Sequence, residues 1–240
     1  MARIKGVFFD LGGTLRIAEN VPEHQERAKA RMAQLAGAAD VQGFIDMVEA
    51  RYAPYRDWAL TENREAGDYD LWAKWLLPEY PEEKLRAICH EMTYQYRQVK
   101  GLRHVVEGGR QVIETLHSRG YKLGIISNLI GEEEIPNWLR QDGLEQYFDS
   151  VVLSSVCHIR KPDPEMYRMG CRELGLLPEE CASVADNLNR DITGAKAAGI
   201  GANILFISPK KLAQKTITDE NRPDYIVHRF PEILELPILQ

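Results

Sequence analysis

The sequence lacks any apolar run near the roughly 20 residues that a membrane-spanning helix needs, although 44% of its 240 residues are apolar. Its first residues, Met1-Ala-Arg-Ile-Lys, lead directly into a predicted strand and not into the apolar core of a signal peptide. We therefore expect a cytoplasmic protein with no membrane partner and with enough apolar residues to bury a core.

Cysteine pairs and basic stripes are also missing. The four cysteines, Cys89, Cys157, Cys171 and Cys181, contain no CxxC pair, so their spacing favours reduced thiols in the core over a zinc or redox centre. Lys and Arg are interspersed among Asp and Glu, and the formal net charge is -6. This charge pattern argues against nucleic acid as a partner, because its phosphates require a basic surface.

Short apolar segments alternate with helical segments along much of the chain. This alternation predicts an α/β fold, a doubly wound parallel sheet with helices on both faces. Such sheets bind ligands beyond the carboxyl ends of their strands. The predicted strands are residues 3–9, 122–127, 150–153, 182–185, 202–207 and 225–228, and the predicted helices between them are 109–118, 164–174 and 192–198.

One long segment, residues 16–104, interrupts this alternation. Its apolar residues recur at helical spacing, which predicts an inserted α-helical domain, leaving residues 1–15 and 105–240 as the α/β core domain. Three of the four tryptophans, Trp58, Trp72 and Trp75, lie in this segment. Their helical spacing favours packing within the insert over a cage for a ligand.

Polar residues that can carry chemistry stand at four predicted strand ends. Asp10 follows the first strand, and the glycines after it allow the backbone to approach a ligand closely. Asp10 is a candidate nucleophile, while Thr14 and Ser127 can donate hydrogen bonds to ligand oxygens. Lys161 can hold the nucleophile and neutralise charge on a transferring group.

Two further carboxylates, Asp186 and Asp191, follow a later strand. Together with Asp10 they offer the hard oxygen ligands that Mg²⁺ prefers. Each of these residues alone is equally typical of a helix cap or a turn. Their common placement at strand ends predicts a phosphoryl-transfer site.

Four motifs in this order resemble those of the haloacid dehalogenase superfamily. That family has a strand ending in DxDGT, a strand ending in Ser or Thr, a downstream Lys, and a strand followed by paired acids. The resemblance covers essentially the whole chain and implies a Rossmann-like core with a helical cap between the first two motifs. The matching segments are VFFDLGGTL (7–15), LGIISN (123–128), RKPD (160–163) and VADNLNRDITGA (184–195).

The resemblance implies a role for each matched residue. Asp10 would be the nucleophile that forms an aspartyl-phosphate, and Thr14 would orient it. Magnesium would be bound by Asp10, Asp186 and the backbone carbonyl of Gly12, with Asp191 near it. The residues implied to bind the phosphoryl group are Gly13, Ser127, Asn128 and Lys161.

The main departure from the family pattern is Gly12. Family phosphatases have at this position a second aspartate, which protonates the leaving group and later deprotonates the attacking water. Such assistance is worth roughly 10²–10⁴-fold, so we expect a phosphatase that favours activated leaving groups. A cap residue could replace the acid, and Arg16, Glu19 and His24 are candidates that also read as ordinary polar residues at the cap entrance.

Two other functions stay open at this point. Superfamily members that cleave carbon–halogen or carbon–phosphorus bonds also lack the second aspartate, although the metal-free dehalogenases are expected to have neutral residues in place of Asp186 and Asp191. A carbon–phosphorus hydrolase would require an activated cap lysine, for which Lys29, Lys74 and Lys84 are available. The third reading is a phosphate- and metal-binding protein that has lost turnover.

We expect a small, phosphorylated substrate because the motifs describe a reaction centre for a phosphoryl group. The cap determines which metabolite enters, and its sequence does not identify one. The aromatic-rich cap is compatible with a monomer or a homodimer.

Overall fold

The computed structural model describes residues 3–240. A six-stranded parallel sheet in the order β5-β4-β1-β6-β7-β8 forms the core, and a separate two-stranded antiparallel ribbon joins β2 to β3. The strands are β1 (Gly6–Phe9), β2 (Arg16–Glu19), β3 (Leu102–Val105), β4 (Lys122–Ser127), β5 (Ser150–Leu153), β6 (Cys181–Ala185), β7 (Ala202–Phe206) and β8 (Tyr225–Val227).

Ten α-helices surround or follow these strands in the described part of the chain. They are α1 (Pro22–Ala36), α2 (Val41–Thr61), α3 (Asp68–Asp70), α4 (Glu82–Val99), α5 (Gly109–Ser118), α6 (Glu134–Gln141), α7 (Ser154–Cys157), α8 (Glu165–Leu174), α9 (Thr193–Ala198) and α10 (Pro209–Leu212). Two π-helical segments, Leu71–Leu76 and Leu188–Ile192, extend α3 and precede α9; short 3-10 turns are Glu145–Tyr147, Pro178–Glu180, Phe230–Glu235 and Pro237–Leu239.

The central strand β1 organises the core. All four of its residues are buried, and it pairs in parallel with β4 on one side and β6 on the other. Successive side chains of a strand point to opposite faces. Phe9 accordingly packs in a cluster with residues of α5, whereas Phe8 packs in another cluster with residues of α8 and α9. The predicted doubly wound α/β fold is confirmed.

The segment predicted to be an insert has its own apolar core. Buried residues of α1, α2, α4 and the π-helical turn, including Met32, Trp72 and Tyr96, form one cluster to which the α/β core contributes Ile130. The separation of this cluster from the sheet supports a cap domain at residues 16–104, and the exact limits of the two domains stay a prediction.

The cap segment is not helical throughout, because β2 and β3 lie at its two ends. They pair from Arg16 opposite Val105 to Glu19 opposite Leu102. This ribbon has little sequence signal, since strands of four residues carry too few positions to show a period of two. The ribbon contains both chain connections between cap and core.

Trp72 is a packing residue, as its spacing indicates, whereas Trp58 and Trp75 are half-buried and also line a cavity, so the packing interpretation stays a prediction for these two. Trp72 is fully buried, and its indole N–H donates to the hydroxyl of Thr93 at 2.8 Å. The rings of Trp58 and Trp75 lie 5.3 Å apart between centroids. Polar partners and ring contacts of this kind are how buried aromatic side chains are normally satisfied.

The other expectations from composition can also be compared with the structure. Cys89, Cys157, Cys171 and Cys181 carry free thiols, and three of them are buried. No helix among residues 3–240 is both long enough and apolar enough to cross a membrane.

We predict that Gly170→Ala destabilises the core. A Cβ at Gly170 would lie 2.7 Å from Cε1 and 3.0 Å from Cζ of Phe8. Overpacking of this kind costs about 1–3 kcal/mol, which outweighs the gain of up to about 1 kcal/mol from replacing a helical glycine by alanine. Urea unfolding should show a net loss of free energy of unfolding of up to about 2 kcal/mol.

Phe8→Leu provides the matched test of this mechanism. If the alanine methyl clashes with the phenyl ring, the double variant should lose clearly less than the sum of the two single losses. Additive losses, within about 0.5 kcal/mol, would show that the two positions do not interact.

Candidate active site

Asp10 lies directly after β1, at the carboxyl end of the sheet. Its backbone N–H donates to the carbonyl of Val184 in β6 at 3.0 Å, and its side chain is almost fully buried. One carboxylate oxygen, Oδ1, accepts from Nζ of Lys161 at 2.7 Å and from Oγ of Ser127 at 3.4 Å. The other, Oδ2, accepts from the hydroxyl of Thr14 at 3.3 Å. Four predicted site residues from three separate motifs therefore meet at one carboxylate.

Lys161 is held rigidly in this arrangement. Its buried ammonium also donates to the carbonyl of Ile126 at 2.8 Å and lies 2.5 Å from Oδ1 of Asp191. The Asn128 side chain binds the backbone of Lys161 twice: its amide donates to the carbonyl at 2.9 Å, and its oxygen accepts from the N–H at 2.8 Å. Asn128 thus positions the lysine here, and its predicted contact with phosphoryl oxygens stays a prediction.

The three predicted metal-binding aspartates come together. One carboxylate oxygen from each of Asp10, Asp186 and Asp191 lies within 4.8 Å of the others. Oδ1 of Asp186 is buried and accepts no hydrogen bond. Burial, followed by the nearby charges of Asp10 and Asp191, raises the pKa of Asp186 to about 6. A hard divalent cation fits this donor set, because it would neutralise crowded carboxylates and coordinate the oxygen that accepts no hydrogen bond.

The glycines after Asp10 have different surroundings. Gly13 adopts a positive φ of 83°, and a Cβ there would collide with the carboxylate of Asp186; its N–H donates to the carbonyl of Arg16 at 3.0 Å. A Cβ at Gly12 would meet no atom within 4 Å. Open space thus lies where the family aspartate would project. The predicted contacts of Gly12 with metal and of Gly13 with phosphate stay predictions.

Arg190 is a site residue that the motif analysis did not single out. Its Nη2 lies 2.8 Å from Oδ2 of Asp191, 3.5 Å from Oδ1 of Asp186 and 3.8 Å from Oδ2 of Asp10. Burial opposes the charge of Arg190, but Asp191 and Asp10 together raise its pKa. The spacing of four residues from Asp186 was the available signal, since an acid and a base at i and i+4 meet on a helical turn.

Glu65 brings the cap against the motif that contains Lys161. This fully buried carboxylate of the cap forms an ion pair with Arg160 and accepts from the hydroxyl of Ser154 at 2.9 Å. The backbone of Asn63 also accepts from the N–H of Arg160 at 3.0 Å. Glu65 sits in a loop with no recognisable motif, so only the tertiary structure reveals this contact.

The three cap residues considered as replacements for the missing acid make other contacts. Arg16 is buried and pairs with Glu134, with its guanidinium 4.5 Å from the ring centroid of Trp138. His24 hydrogen-bonds to the side-chain oxygen of Gln98 at 3.1 Å. Glu19 is exposed at the end of β2. None of these contacts brings an acid to the Asp10 carboxylate.

The three cap lysines considered for a Schiff base are also engaged outside this site. Lys29 pairs with Glu26 and Lys74 with Asp70, while Lys84 donates to the carbonyl of Ala36. Lysines at the cap surface with such partners are not activated by burial in an apolar pocket. The contacts therefore give no support to a carbon–phosphorus hydrolase that uses one of them.

Glu134 anchors the connections between cap and core. This buried carboxylate at the start of α6 pairs with Arg16 of β2 at 3.0 Å and with Arg97 of α4. Burial opposes its ionisation, but Arg97, Arg16 and Arg103 lower the pKa of Glu134. Burial and the charge of Arg97 in turn lower the pKa of Arg103 to about 10. One carboxylate thus balances several guanidinium groups where cap and core meet.

Comparison with known families identifies the fold and its chemistry. Residues 4–199 match the family model described as haloacid dehalogenase-like hydrolase. The chain belongs to this hydrolase family. It is 25% identical over 237 residues to a glyceraldehyde 3-phosphate phosphatase of Methanopyrus kandleri, with 97% of each chain covered. It is 32% identical over 154 residues to the pyrophosphatase PpaX of Bacillus velezensis, covering 62% of this chain and 68% of that protein.

Solved structures show the same fold over nearly the full chain. A 2-haloacid dehalogenase from Pseudomonas syringae superposes with a TM-score of 0.67 at 21% identity, covering 97% of both chains. A HAD phosphatase from Thermococcus onnurineus superposes with a TM-score of 0.59 at 22% identity, also covering 97% of both. The resemblance seen in the four motifs is confirmed, and the enzyme is a hydrolase of this family.

We predict that alanine at Gly13 lowers the free energy of unfolding, whereas alanine at the neighbouring Gly12 leaves it nearly unchanged. Gly13→Ala must place a Cβ in the left-handed region, which costs roughly 1–2 kcal/mol, and must also displace Asp186. Gly12→Ala fills open space and should change the free energy of unfolding by less than about 0.5 kcal/mol. Chemical unfolding of both variants measures the difference, and equal stabilities would contradict the described loop geometry.

We also predict that Glu134→Gln is strongly destabilising. Removing one partner of a buried ion pair leaves uncompensated charge and costs about 3–5 kcal/mol, here on Arg16 and Arg97. The exposed neighbour Glu133 provides the control, and Glu133→Gln should stay within about 0.5 kcal/mol of wild type. Similar unfolding curves for the two variants would exclude an important role for the Glu134 cluster.

Proposed function

We propose that this hydrolase is a magnesium-dependent phosphatase that acts on a small phosphorylated metabolite through an aspartyl-phosphate at Asp10. The observation that supports this most directly is the Asp10 carboxylate, which accepts from Lys161 and Ser127 through Oδ1 and lies in one cluster with the carboxylates of Asp186 and Asp191. Relatives named as phosphatases of glyceraldehyde 3-phosphate and phosphoserine support a phosphorylated substrate. A cytoplasmic location stays a prediction.

The two carboxylate oxygens of Asp10 have different hydrogen-bond partners, which suggests that they have different roles. Oδ1 lies among hydrogen-bond donors that can also bind phosphoryl oxygens, so it is the candidate attacking atom. Thr14 restrains Oδ2 at 3.3 Å and so fixes the rotation of the carboxylate. Preorganised donors of this kind stabilise charge that develops during phosphoryl transfer.

The reaction would proceed in two displacements. Oδ1 of Asp10 bonds to phosphorus as the bond from phosphorus to the leaving oxygen breaks, and the leaving group takes that electron pair. Water then bonds to phosphorus as the bond between phosphorus and Oδ1 breaks. Oδ1 keeps that electron pair, which restores the Asp10 carboxylate, and the protons of the water leave with the phosphate or pass to solvent. The ammonium of Lys161 remains beside Asp10 and offsets negative charge in both steps.

Magnesium would be held by Asp10, Asp186 and Asp191. When bound, it neutralises negative charge on the phosphoryl oxygens. The Oδ1 of Asp186, which accepts no hydrogen bond, and the proximity of the three carboxylates support this assignment. The buried Asp191 also contacts Lys161. Because Lys161 contacts Asp10 as well, the same ammonium positions the proposed nucleophile and one residue of the proposed cation site.

Gly12 determines which leaving groups are favourable. No residue of this loop carries a carboxyl group where the family acid would project, and the cap candidates contact other partners. A leaving group that departs without a proton, such as a nitrophenolate or a carboxylate, avoids this deficiency in the first displacement, whereas the attacking water of the second displacement lacks this base for every substrate. We therefore propose a preference for activated phosphates over simple alkyl phosphates.

Dehalogenation is the second candidate function, because halide also leaves without a proton and Gly12 suits such a reaction. The acidic cluster is the observation against it, since three carboxylates with only Lys161 and Arg190 as cationic partners retain a net negative charge that favours binding of a metal cation. Halide release from a 2-haloacid distinguishes the two functions.

The phosphatase proposal predicts a specific change in substrate preference. Wild type should hydrolyse p-nitrophenyl phosphate with magnesium far faster than a simple alkyl phosphate. Gly12→Asp, for which the structure has room, should accelerate the alkyl substrate by roughly 10²–10⁴-fold and the aryl substrate much less. Steady-state phosphate release measures both rates.

Asp10→Asn is the negative control, and it should abolish turnover of both substrates. Turnover that survives Asp10→Asn, or that is unaffected by chelation of magnesium, would contradict the mechanism. If wild type releases halide and no variant releases phosphate, the dehalogenase function is supported and the phosphatase function is rejected.

A further inference from the structure

The position of Arg190 has a consequence for metal binding. Its Nη2 lies within 3.8 Å of an oxygen of each of the three aspartates. A single cation that contacts all three carboxylates must occupy this same region. The guanidinium of Arg190 therefore occupies the region where a bound metal cation would lie.

The local charge balance agrees with this reading. Asp10, Asp186 and Asp191 supply three negative charges, and Lys161 neutralises part of this charge through Asp10 and Asp191. Arg190 supplies the second positive charge in the cluster. Without it, Asp186 would have no cationic partner among its described ion pairs. A divalent cation that enters beside Arg190 would meet like charge within a few ångströms, which is unfavourable.

The side chain of Arg190 is also exposed enough to move away from the carboxylates. About a third of its side chain is exposed, whereas Asp10 and Asp191 are almost fully buried. Its guanidinium is held mainly by Asp191, through Nε at 3.1 Å and Nη2 at 2.8 Å, while the other two carboxylates are more distant. The arginine can therefore be displaced without unfolding a buried element.

We propose that Arg190 is a built-in counter-ion that competes with Mg²⁺ for the carboxylates of Asp10, Asp186 and Asp191. Metal binding then requires the guanidinium to withdraw, so the free protein binds magnesium weakly. This inference rests on the proposed metal site and adds the residue that sets its affinity. Competition of this kind is a coupling free energy between two ligands of one site.

The direct test is calorimetric titration of the full chain with MgCl₂, which requires no substrate. Arg190→Gln removes the charge and keeps a polar side chain of intermediate length. We expect its magnesium affinity to exceed that of wild type by roughly 5- to 150-fold, the usual range for such couplings. Without magnesium, the same variant should melt at a lower temperature, because three carboxylates then share one cation.

Two further variants separate the charge from general effects of substitution. Arg168→Gln changes an exposed arginine of α8 that contacts Glu165 and the carbonyl of Ala197, and it should bind magnesium as wild type does. Arg190→Lys keeps the charge, so its affinity should lie closer to wild type than to Arg190→Gln. If Arg190→Gln does not fold, Arg190→Lys provides the test. Its single ammonium cannot form both contacts with Asp191, so we expect a modest increase in its magnesium affinity.

The outcomes distinguish this inference from the phosphatase itself. Unchanged magnesium affinity in the Arg190 variants, with normal hydrolysis of p-nitrophenyl phosphate by wild type, overturns the competition and leaves the phosphatase intact. Tighter magnesium binding by Arg190→Gln, with no phosphate release from any variant, supports the competition and rejects the phosphatase. No binding heat in any variant overturns the competition.

Discussion

The repulsion among three carboxylates at the carboxyl edge of the sheet, after β1 and β6, is the constraint on which the proposed reaction centre depends. Asp10, Asp186 and Asp191 lie close together and are partly or fully buried, where uncompensated charge is costly. Two cations of the chain, Lys161 and Arg190, offset this cost. They do so differently, because Lys161 is buried and fixed by Asn128, whereas Arg190 is partly exposed.

This difference has functional meaning. A permanent cation beside the nucleophile can stabilise charge throughout a reaction cycle without having to move. A displaceable cation can instead keep the folded site neutral enough to persist when no metal is bound. If magnesium replaces Arg190 as we propose, the cluster is stable before the metal binds and reactive once it has bound.

Contacts between cap and core extend from this centre through buried ion pairs. Glu65 reaches Arg160, the residue before Lys161, and Glu134 pairs with Arg16 beside the nucleophile loop. Buried ion pairs add little net stability when compared with apolar packing, but losing one partner is costly. Their placement therefore favours one defined orientation of the cap over the sheet, and with it a defined space above Asp10.

The sequence alone determined the parallel α/β core, the helical character of the insert and the residues that meet at Asp10. These features rest on local periodicity and on the rule that parallel strands bring their carboxyl ends to one edge. It could not reveal the β2–β3 ribbon, whose strands are too short to show a period. It also could not reveal the partners of Glu65 and Glu134, because a charged side chain in a loop or turn has the same sequence signature whether it faces solvent or a buried ion. Only the tertiary structure decided those pairings, since they depend on distances between segments that lie far apart in the chain.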